Sequence, residues 1–309
     1  MIHTPLPRLD CHPEIRKTLL EYCRLQPGEV WVDPLRGHRV GCGDATHAGH
    51  IRQLMGDERA QLAIHDPPYN LVAFEERPPA DFIEWCRKWV QLTLKYLSDP
   101  AALYIWMGAD QTDGFQPLPE FMLLMREFPE LTSRSLITLR NQRGFGTPHN
   151  WMSVRQELLY YTKGKPPFTA QYTAIPKVLR GYYKTIKGRR TENLERSKSN
   201  TLRASNVWVD IQQVFYRMQE NVSGCYAQKP LQATERIILA SSREHERVID
   251  FFAHAGTTLI ACERLNRQCF TTDIDPVYSE LTIRRLEHYR QTGLTGWQHQ
   301  NPFTPLEIT

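Results

Sequence analysis

The hydrophobic and polar positions divide the chain into two blocks of regular alternation and one stretch without it. In the first block, residues Glu14–Leu25 have the spacing of a helix, and the alternating stretch from Val30 to Val40 predicts a strand leading into the turn Gly41-Cys42-Gly43-Asp44. A polar helix is expected over Ala48–Gly56. The apolar run Gln61-Leu62-Ala63-Ile64 then predicts a strand that must stop at Asp66-Pro67-Pro68, because proline cannot donate to a ladder. Asp81 is placed as the N-cap of an amphipathic helix reaching Leu97, and Ala101–Met107 as a short buried strand. A helix over Pro119–Phe128 and strands around Ser135–Arg140 and Glu157–Thr162 complete this block.

From Lys163 to Cys225 the periodicity dissolves into prolines, glycines, tyrosines and basic residues. Regular alternation returns at Gln228, predicting helix Leu231–Ser242, strand Val248–Phe252, helix Gly256–Asn266, strand Cys269–Asp273 and helix Pro276–Arg290. Two α/β blocks flanking one irregular segment are the pattern of a parallel-sheet domain interrupted by a substrate-reading insert.

Composition narrows the class. With 309 residues, 41% hydrophobic and 23% charged, the chain can bury a sizeable core and is not a disordered, collagen-like or coiled-coil protein. No apolar run approaches the ~18 residues of a membrane span, and the first residues carry prolines and charges where a secretory leader is apolar. A soluble, cytoplasmic protein is expected. The seven cysteines are odd in number and nowhere form C-x-x-C, so neither a disulfide framework nor a four-cysteine zinc site is expected.

Charge adds a partner. Between Lys177 and Arg203 nine Lys and Arg stand against Glu192 and Glu195, a local excess of +7 in a chain whose total is +4. Tyr172, Tyr182 and Tyr183 are interleaved with this run, a pattern suited to phosphate contact and base stacking. A solvated loop is the alternative.

Two segments carry candidate chemistry. In Asp66-Pro67-Pro68-Tyr69 the prolines lack N–H groups, so carbonyl oxygens are presented without competing donors. The Asp66 carboxylate and the Pro67 carbonyl can each accept one hydrogen of a planar amino group, while Tyr69 stacks on the ring that bears it. An ordinary strand-ending turn is the alternative. The second segment runs from Val248 through Asp250, Phe252, Ala253, His254, Gly256, Thr257 and Thr258 to Asp273. It reads strand, small-residue turn, helix, strand, acid, the layout that places a nucleoside in an open α/β crevice with the final acid on the ribose hydroxyls. Neither G-x-x-x-x-G-K-[ST] nor G-x-G-x-x-G is present, which leaves a cofactor without pyrophosphate, such as S-adenosylmethionine, or an unliganded βαβ unit. His47 and His50, beside Asp44, lack the partners of a zinc site and are expected to be capping or solvated; no metal is expected.

Together these segments resemble the β-type amino-group DNA methyltransferases. The matching pieces are Gly43-Asp44, Asp66-Pro67-Pro68-Tyr69-Asn70, Gln156 to Tyr161, Gln228-Lys229-Pro230-Leu231, the loop Asp250 to Thr258, and Asp273 to Tyr278, spread from Arg39 to Gly293 in the family's order. The resemblance implies an α/β class I S-adenosylmethionine-dependent methyltransferase fold, a seven-strand, mostly parallel sheet with one antiparallel edge. It implies an N-terminal extension (1–29), a catalytic half (30–163), a small target-recognition insert (164–225), a cofactor half (226–293) and a tail (294–309). Asp66, Pro67, Pro68 and Tyr69 would be catalytic. Asp44, Asp66, Lys229, Asp250, Phe252, Ala253, His254, Gly256, Thr257, Thr258 and Asp273 would hold the cofactor. Lys177, Arg180, Lys184, Lys187, Arg189, Arg190, Lys198 and Arg203 would touch DNA.

The implied reaction is methyl transfer from S-adenosylmethionine to the amino nitrogen of a flipped base in double-stranded DNA. Asp-Pro-Pro-Tyr-Asn favours adenine N6, and cytosine N4 is the alternative. Nucleoid association, a homodimer and a cognate restriction enzyme or accessory subunit are compatible partners. One departure stands out: the family's cofactor loop, D-P-F-x-G-x-G-T-T, has Phe251 for its proline and His254 for its first glycine here. An imidazole at that place narrows the pocket, which keeps a weakly active DNA-binding homologue as an alternative; an RNA or protein methyltransferase sharing the N/D-P-P-Y block is a further one.

Overall fold

The computed structural model describes residues 5–69, 78–108, 116–145, 148–149, 151–177, 183–192 and 199–303. Its centre is a nine-stranded sheet built on the strands β1 (Val30–Val32), β2 (Arg39–Cys42), β3 (Ala60–His65), β4 (Leu97–Met107), β5 (Leu131–Phe145), β6 (Ser153–Lys163), β11 (Val207–Trp208), β12 (Arg247–Asp250) and β13 (Gln268–Asp273), in the spatial order β1-β2-β13-β12-β3-β4-β6-β5-β11. The intervening β7 (Tyr172–Pro176) and β10 (Thr201–Arg203) form one small sheet, and β8 (Tyr183–Ile186) and β9 (Arg189–Glu192) another.

The five strands β2, β13, β12, β3 and β4 run parallel. Five of six residues in β3 and the last seven of β4 are buried, as strands covered on both faces require. The helices α2 (Ala48–Met55), α3 (Pro79–Tyr96) and α4 (Pro117–Leu124) cover one face, meeting Leu103, Ile105 and Met107 of β4. The opposite face, with Tyr104 and Trp106, packs on α5 (Leu231–Ser241), α6 (Thr257–Arg264) and α7 (Pro276–Thr292). Alternate residues of one strand thus feed two separate cores. Among the described residues no helix is long and apolar enough to cross a membrane.

Four expectations need correction. Val30–Val40 is not one strand but the hairpin β1–β2: the Asp33 carboxylate accepts the N–H groups of Leu35 (3.3 Å) and Arg36 (2.9 Å), and Gly37 takes φ +69° to close the turn. The N-cap of α3 is Pro78, not Asp81, because Pro79 supplies the pre-set first helical position and Asp81 falls within the first turn. The sheet has nine strands rather than seven. Its antiparallel members are β1 at the edge and β6 in the interior, between β4 and β5, because the β5–β6 hairpin folds back to set β6 against β4. The aperiodic middle contains strands of two to five residues, too short to display a period: β7 alternates only exposed and half-buried positions, and β11 buries Trp208 alone.

Within 164–225, β7 and β10 stand apart, whereas β11 extends the main sheet by pairing with Thr138 and Leu139 of β5. Segments near both limits of the described residues join a third core: Leu6, Leu9 and Leu19, the last in helix α1 (Pro13–Leu19), pack with Val222, Ala255, Val277, Tyr278, Leu281 and Phe303. The buried Arg285 of α7 stitches this region together. Its Nε donates to the Thr295 carbonyl (2.7 Å), Nη1 to Ala255 O (2.6 Å) and Thr257 Oγ1 (3.1 Å), and Nη2 to Glu220 O (3.1 Å). Burial lowers its pKa to about 10. Arg285→Met strips the donor from three carbonyls, so stability should fall by about 3 kcal/mol, at roughly 1–3 kcal/mol for each buried group left unpaired. Urea unfolding that leaves the midpoint in place would contradict this role.

Candidate active site

At the carboxyl end of β3 the chain turns through Asp66, the buried Pro67 and the exposed Pro68 to the half-buried Tyr69. The Tyr69 hydroxyl donates to Asp66 Oδ1 at 3.2 Å, and the ring lies against Gly108, where a Cβ would sit only 2.9 Å from Tyr69 Cδ2. Glycine is thus required directly after β4 for the ring to fit. Burial, with the Asp66 charge second, holds the phenol well above its ordinary pKa, so it donates a proton and does not ionise. From the far side Lys229, just before α5, brings its ammonium to 2.8 Å from both Asp66 oxygens. Asn70 lies outside the described residues.

The loop between β12 and α6 is organised from inside. Asp250 Oδ1 accepts the Phe252 N–H (3.0 Å) and Oδ2 the Thr258 hydroxyl (2.6 Å), while burial holds its pKa above the usual carboxylate value. Ala253 donates its N–H to Thr272 O (2.8 Å), and Gly256, at φ +69°, starts α6 with the Thr282 Cα 3.1 Å from where a Cβ would be. Asp250, Ala253, Gly256, Thr257 and Thr258 therefore shape the loop from behind. Their polar groups point into the fold, and none of them lines the cavity.

Phe252 and His254 do line it. His254 adopts φ +44°, donates its N–H to Asp273 Oδ2 (2.9 Å) and packs its ring 5.0 Å from that of Tyr278. Desolvation lowers its pKa to about 4, which leaves the imidazole neutral at neutral pH. Asp273, ending β13, accepts the Asp275 N–H on Oδ1 (3.0 Å), and burial raises its pKa to about 7. Asp44 accepts both the N–H and the hydroxyl of Thr46 on Oδ1 (2.7 and 2.8 Å). The two histidines beside it shape this loop: His47 caps α2 by accepting the His50 N–H (3.2 Å), and His50 Nδ1 accepts the Asp44 N–H (3.1 Å).

A cavity of about 700 Å³ joins both segments, with Asp44, Asp66, Pro67, Pro68, Tyr69, Lys229, Phe252, His254 and Asp273 on its wall. The wall also takes Phe82 and Trp85 of α3, Tyr226, and Asp10, Pro13, Arg16, Lys17 and Leu20 from the N-terminal segment. These were missed. The signal available was only the amphipathic spacing of α1; its docking rests on the Arg16–Asp275 ion pair (3.3 Å), invisible before folding. Of the basic run, Lys187, Arg189 and Arg190 are exposed on the β8–β9 hairpin, with Lys184 on β8, and Lys177 and Arg203 accompany the β7–β10 pair. None of the described side chains of this run lines the cavity, and Arg180 and Lys198 lie outside the described residues.

The chain is 29% identical over 254 residues to the type II methyltransferase M.HpaI of Haemophilus parainfluenzae, covering 81% of this chain and 74% of that protein. The fold is shared with the PvuII DNA methyltransferase (cytosine-N4-specific), TM-score 0.58 at 12% identity, covering 84% of this chain and 89% of that one. It is also shared with M1.HpyAVI in its SAM complex, TM-score 0.51 at 15% identity, covering 80% and 98%. A family model described as DNA methylase, of the N6/N4 type, matches residues 60–284. On that match, the chain belongs to the N6/N4 DNA methylase family.

Proposed function

We propose that this protein transfers a methyl group from S-adenosylmethionine to the exocyclic amino nitrogen of a flipped DNA base, adenine N6 before cytosine N4. The observation that carries the reading is the opening of the Asp66 turn and the Asp273 strand end into one cavity. A volume of about 700 Å³ accommodates a nucleoside cofactor beside a base. Carboxylates at Asp44 and Asp273 suit ribose and adenine donors and disfavour a phosphate chain, so the residues present fit the cofactor. When bound, it supplies an electrophilic methyl on a sulfonium.

The rest falls to the protein. Extruding the base costs a few kcal/mol. Asp66 and the Pro67 carbonyl then take the two amino hydrogens and turn the nitrogen lone pair out of the ring plane, while Tyr69 stacks on the ring. Positioning supplies much of the rate, and the amino proton becomes acidic only as the N–C bond forms, when the Asp66 carboxylate can receive it. Asp273 binds the ribose hydroxyls, Asp44 lies near the cofactor's adenine, and Phe252 and His254 line the remaining wall. The basic hairpin residues Lys187, Arg189 and Arg190 track the phosphate backbone. The type II names of the relatives suggest a restriction enzyme of matching specificity as a partner.

The direct test is methylation-sensitive sequencing of DNA from cells expressing the chain, which yields both base and motif; unmodified DNA would reject the reading. Asp66→Asn and Tyr69→Ala should each abolish labelled methyl transfer while cofactor affinity stays within a few fold, and a parallel loss of both would move these residues to the cofactor.

Asp273 predicts a pH profile. Burial pushes its carboxyl up to about 7 in the free protein, and hydroxyl donors favour the ionised form over the protonated one. Affinity for S-adenosylmethionine should therefore level off about one unit above pH 7 and decline below pH 7 by up to about tenfold per unit. Calorimetric titration between pH 8 and 6 reads this directly, and Asp273→Asn should flatten the profile.

His254 occupies left-handed backbone, where an L-residue pays about 1–2 kcal/mol that glycine avoids. His254→Gly should keep the thermal midpoint within a few degrees and tighten cofactor binding. Weaker binding would show that the imidazole is a cofactor contact.

A further inference from the structure

Among the described residues three cations line the cavity. Arg16 pairs with Asp275 at 3.3 Å, and Lys17 is exposed. Lys229 differs from both: it is buried, and its ammonium sits 2.8 Å from each oxygen of Asp66. Its other neighbours are aromatic faces, Trp106 at 5.4 Å and Tyr69 at 5.6 Å from Nζ to ring centroid. These fix the ammonium without consuming its hydrogens. An ammonium has three donors, and among the described residues Asp66 is its only hydrogen-bond acceptor.

Asp66 and Lys229 therefore present an acceptor and a donor side by side at the place where the target amine is to be held. Adenine and cytosine display the complement. In each, the carbon bearing the amine also bears an unprotonated ring nitrogen, N1 or N3, so an N–H donor and a nitrogen acceptor lie next to one another. Flipping strips both of their pairing partner, and a buried acceptor left unpaired costs about 1–3 kcal/mol. Thymine offers no amine, and its ring N–H would face the ammonium.

We propose that Lys229 reads the ring nitrogen beside the target amine, donating to adenine N1 or cytosine N3 while Asp66 accepts from the amine itself. This inference rests on the methyltransferase reading above. A bond donated to the ring withdraws electron density, so Lys229 serves selection and orientation, and activation of the amine stays with Asp66 and Pro67.

The test uses the full chain and a duplex containing the mapped site. The target adenine is replaced by 1-deazaadenine, which keeps the amine and loses the N1 acceptor, with 7-deazaadenine as the control; 3-deazacytosine serves if the mapped base is cytosine. Wild type should methylate the 1-deaza duplex about ten- to a hundredfold less efficiently in kcat/KM than the natural one, the range of a hydrogen bond to a charged group, and a 7-deaza control duplex normally. Lys229→Met should show that loss already on natural DNA, no further loss on the 1-deaza duplex, and unchanged S-adenosylmethionine affinity. Equal use of both duplexes by wild type, continued discrimination by Lys229→Met, or a loss of cofactor affinity in that variant would each overturn the proposal. The wild-type arm decides even if the variant fails to fold. No transfer to natural DNA by wild type would instead reject the methyltransferase reading itself.

Discussion

Everything at the site depends on how β3 is joined to the loop after β12. His65, the last residue of β3, is fully buried; its Nδ1 accepts the Phe251 N–H at 3.2 Å, and its Nε2 meets the Thr93 hydroxyl of α3 at 2.9 Å. Asp250 closes the same loop from within through Phe252 and Thr258, 3.9 Å from the imidazole. One residue past His65 stands Asp66, and three residues past Phe251 stands His254. A hydrogen bond between an imidazole and a backbone amide thus fixes the distance between the segment that faces a base and the segment that faces a cofactor. Because both groups are shielded from water, breaking it would leave a buried donor and acceptor unmatched.

Around this joint, the parallel strands impose direction. β2, β13, β12 and β3 end along one edge, so Asp44, Asp273, the β12 loop and Asp66 emerge at the same rim although they are far apart in the chain. Helices on both faces pin the strands, and the third core, tied by Arg285, folds the N-terminal segment and the 220s against the rim. The cavity is therefore walled by strand ends and α3 on one side and by the N-terminal segment and the 220s on the other.

Much of the rim was legible because local chemistry announces it. Two prolines must end a strand, as at Pro67 and Pro68, and the helix expected from Pro276 is α7, which the structure shows capped by Asp275 accepting the Val277 N–H at 2.9 Å. Helices α5 and α7 likewise follow from periodic apolar positions, and α2 from the polar stretch after the Asp44 turn. What stayed hidden depends on partners distant in sequence. The β1–β2 turn rests on an Asp33 carboxylate that also binds Arg290 (2.7 Å), and the place of α1 rests on Asp275. Lys229, taken from the resemblance as a cofactor residue, turns out to face Asp66, 163 positions earlier in the chain. The loop residues Asp250, Thr257 and Thr258 were found as a motif, but spacing alone cannot tell a wall residue from one that braces the wall.

The third core has an evolutionary consequence. Leu6 and Leu9 share one apolar cluster with Phe303, and the ring of Tyr22 lies 6.5 Å from that of Phe303, so the two ends of the described chain meet on the same side of the sheet. Where ends meet, they can be joined and the chain reopened elsewhere, and an exposed hairpin such as β8–β9 is a place where reopening disturbs no core. The rim would be unchanged, since it depends on which strands lie side by side and not on which is made first. Circular permutation at that hairpin would place the cofactor half before the catalytic half while leaving the same strands side by side at the rim.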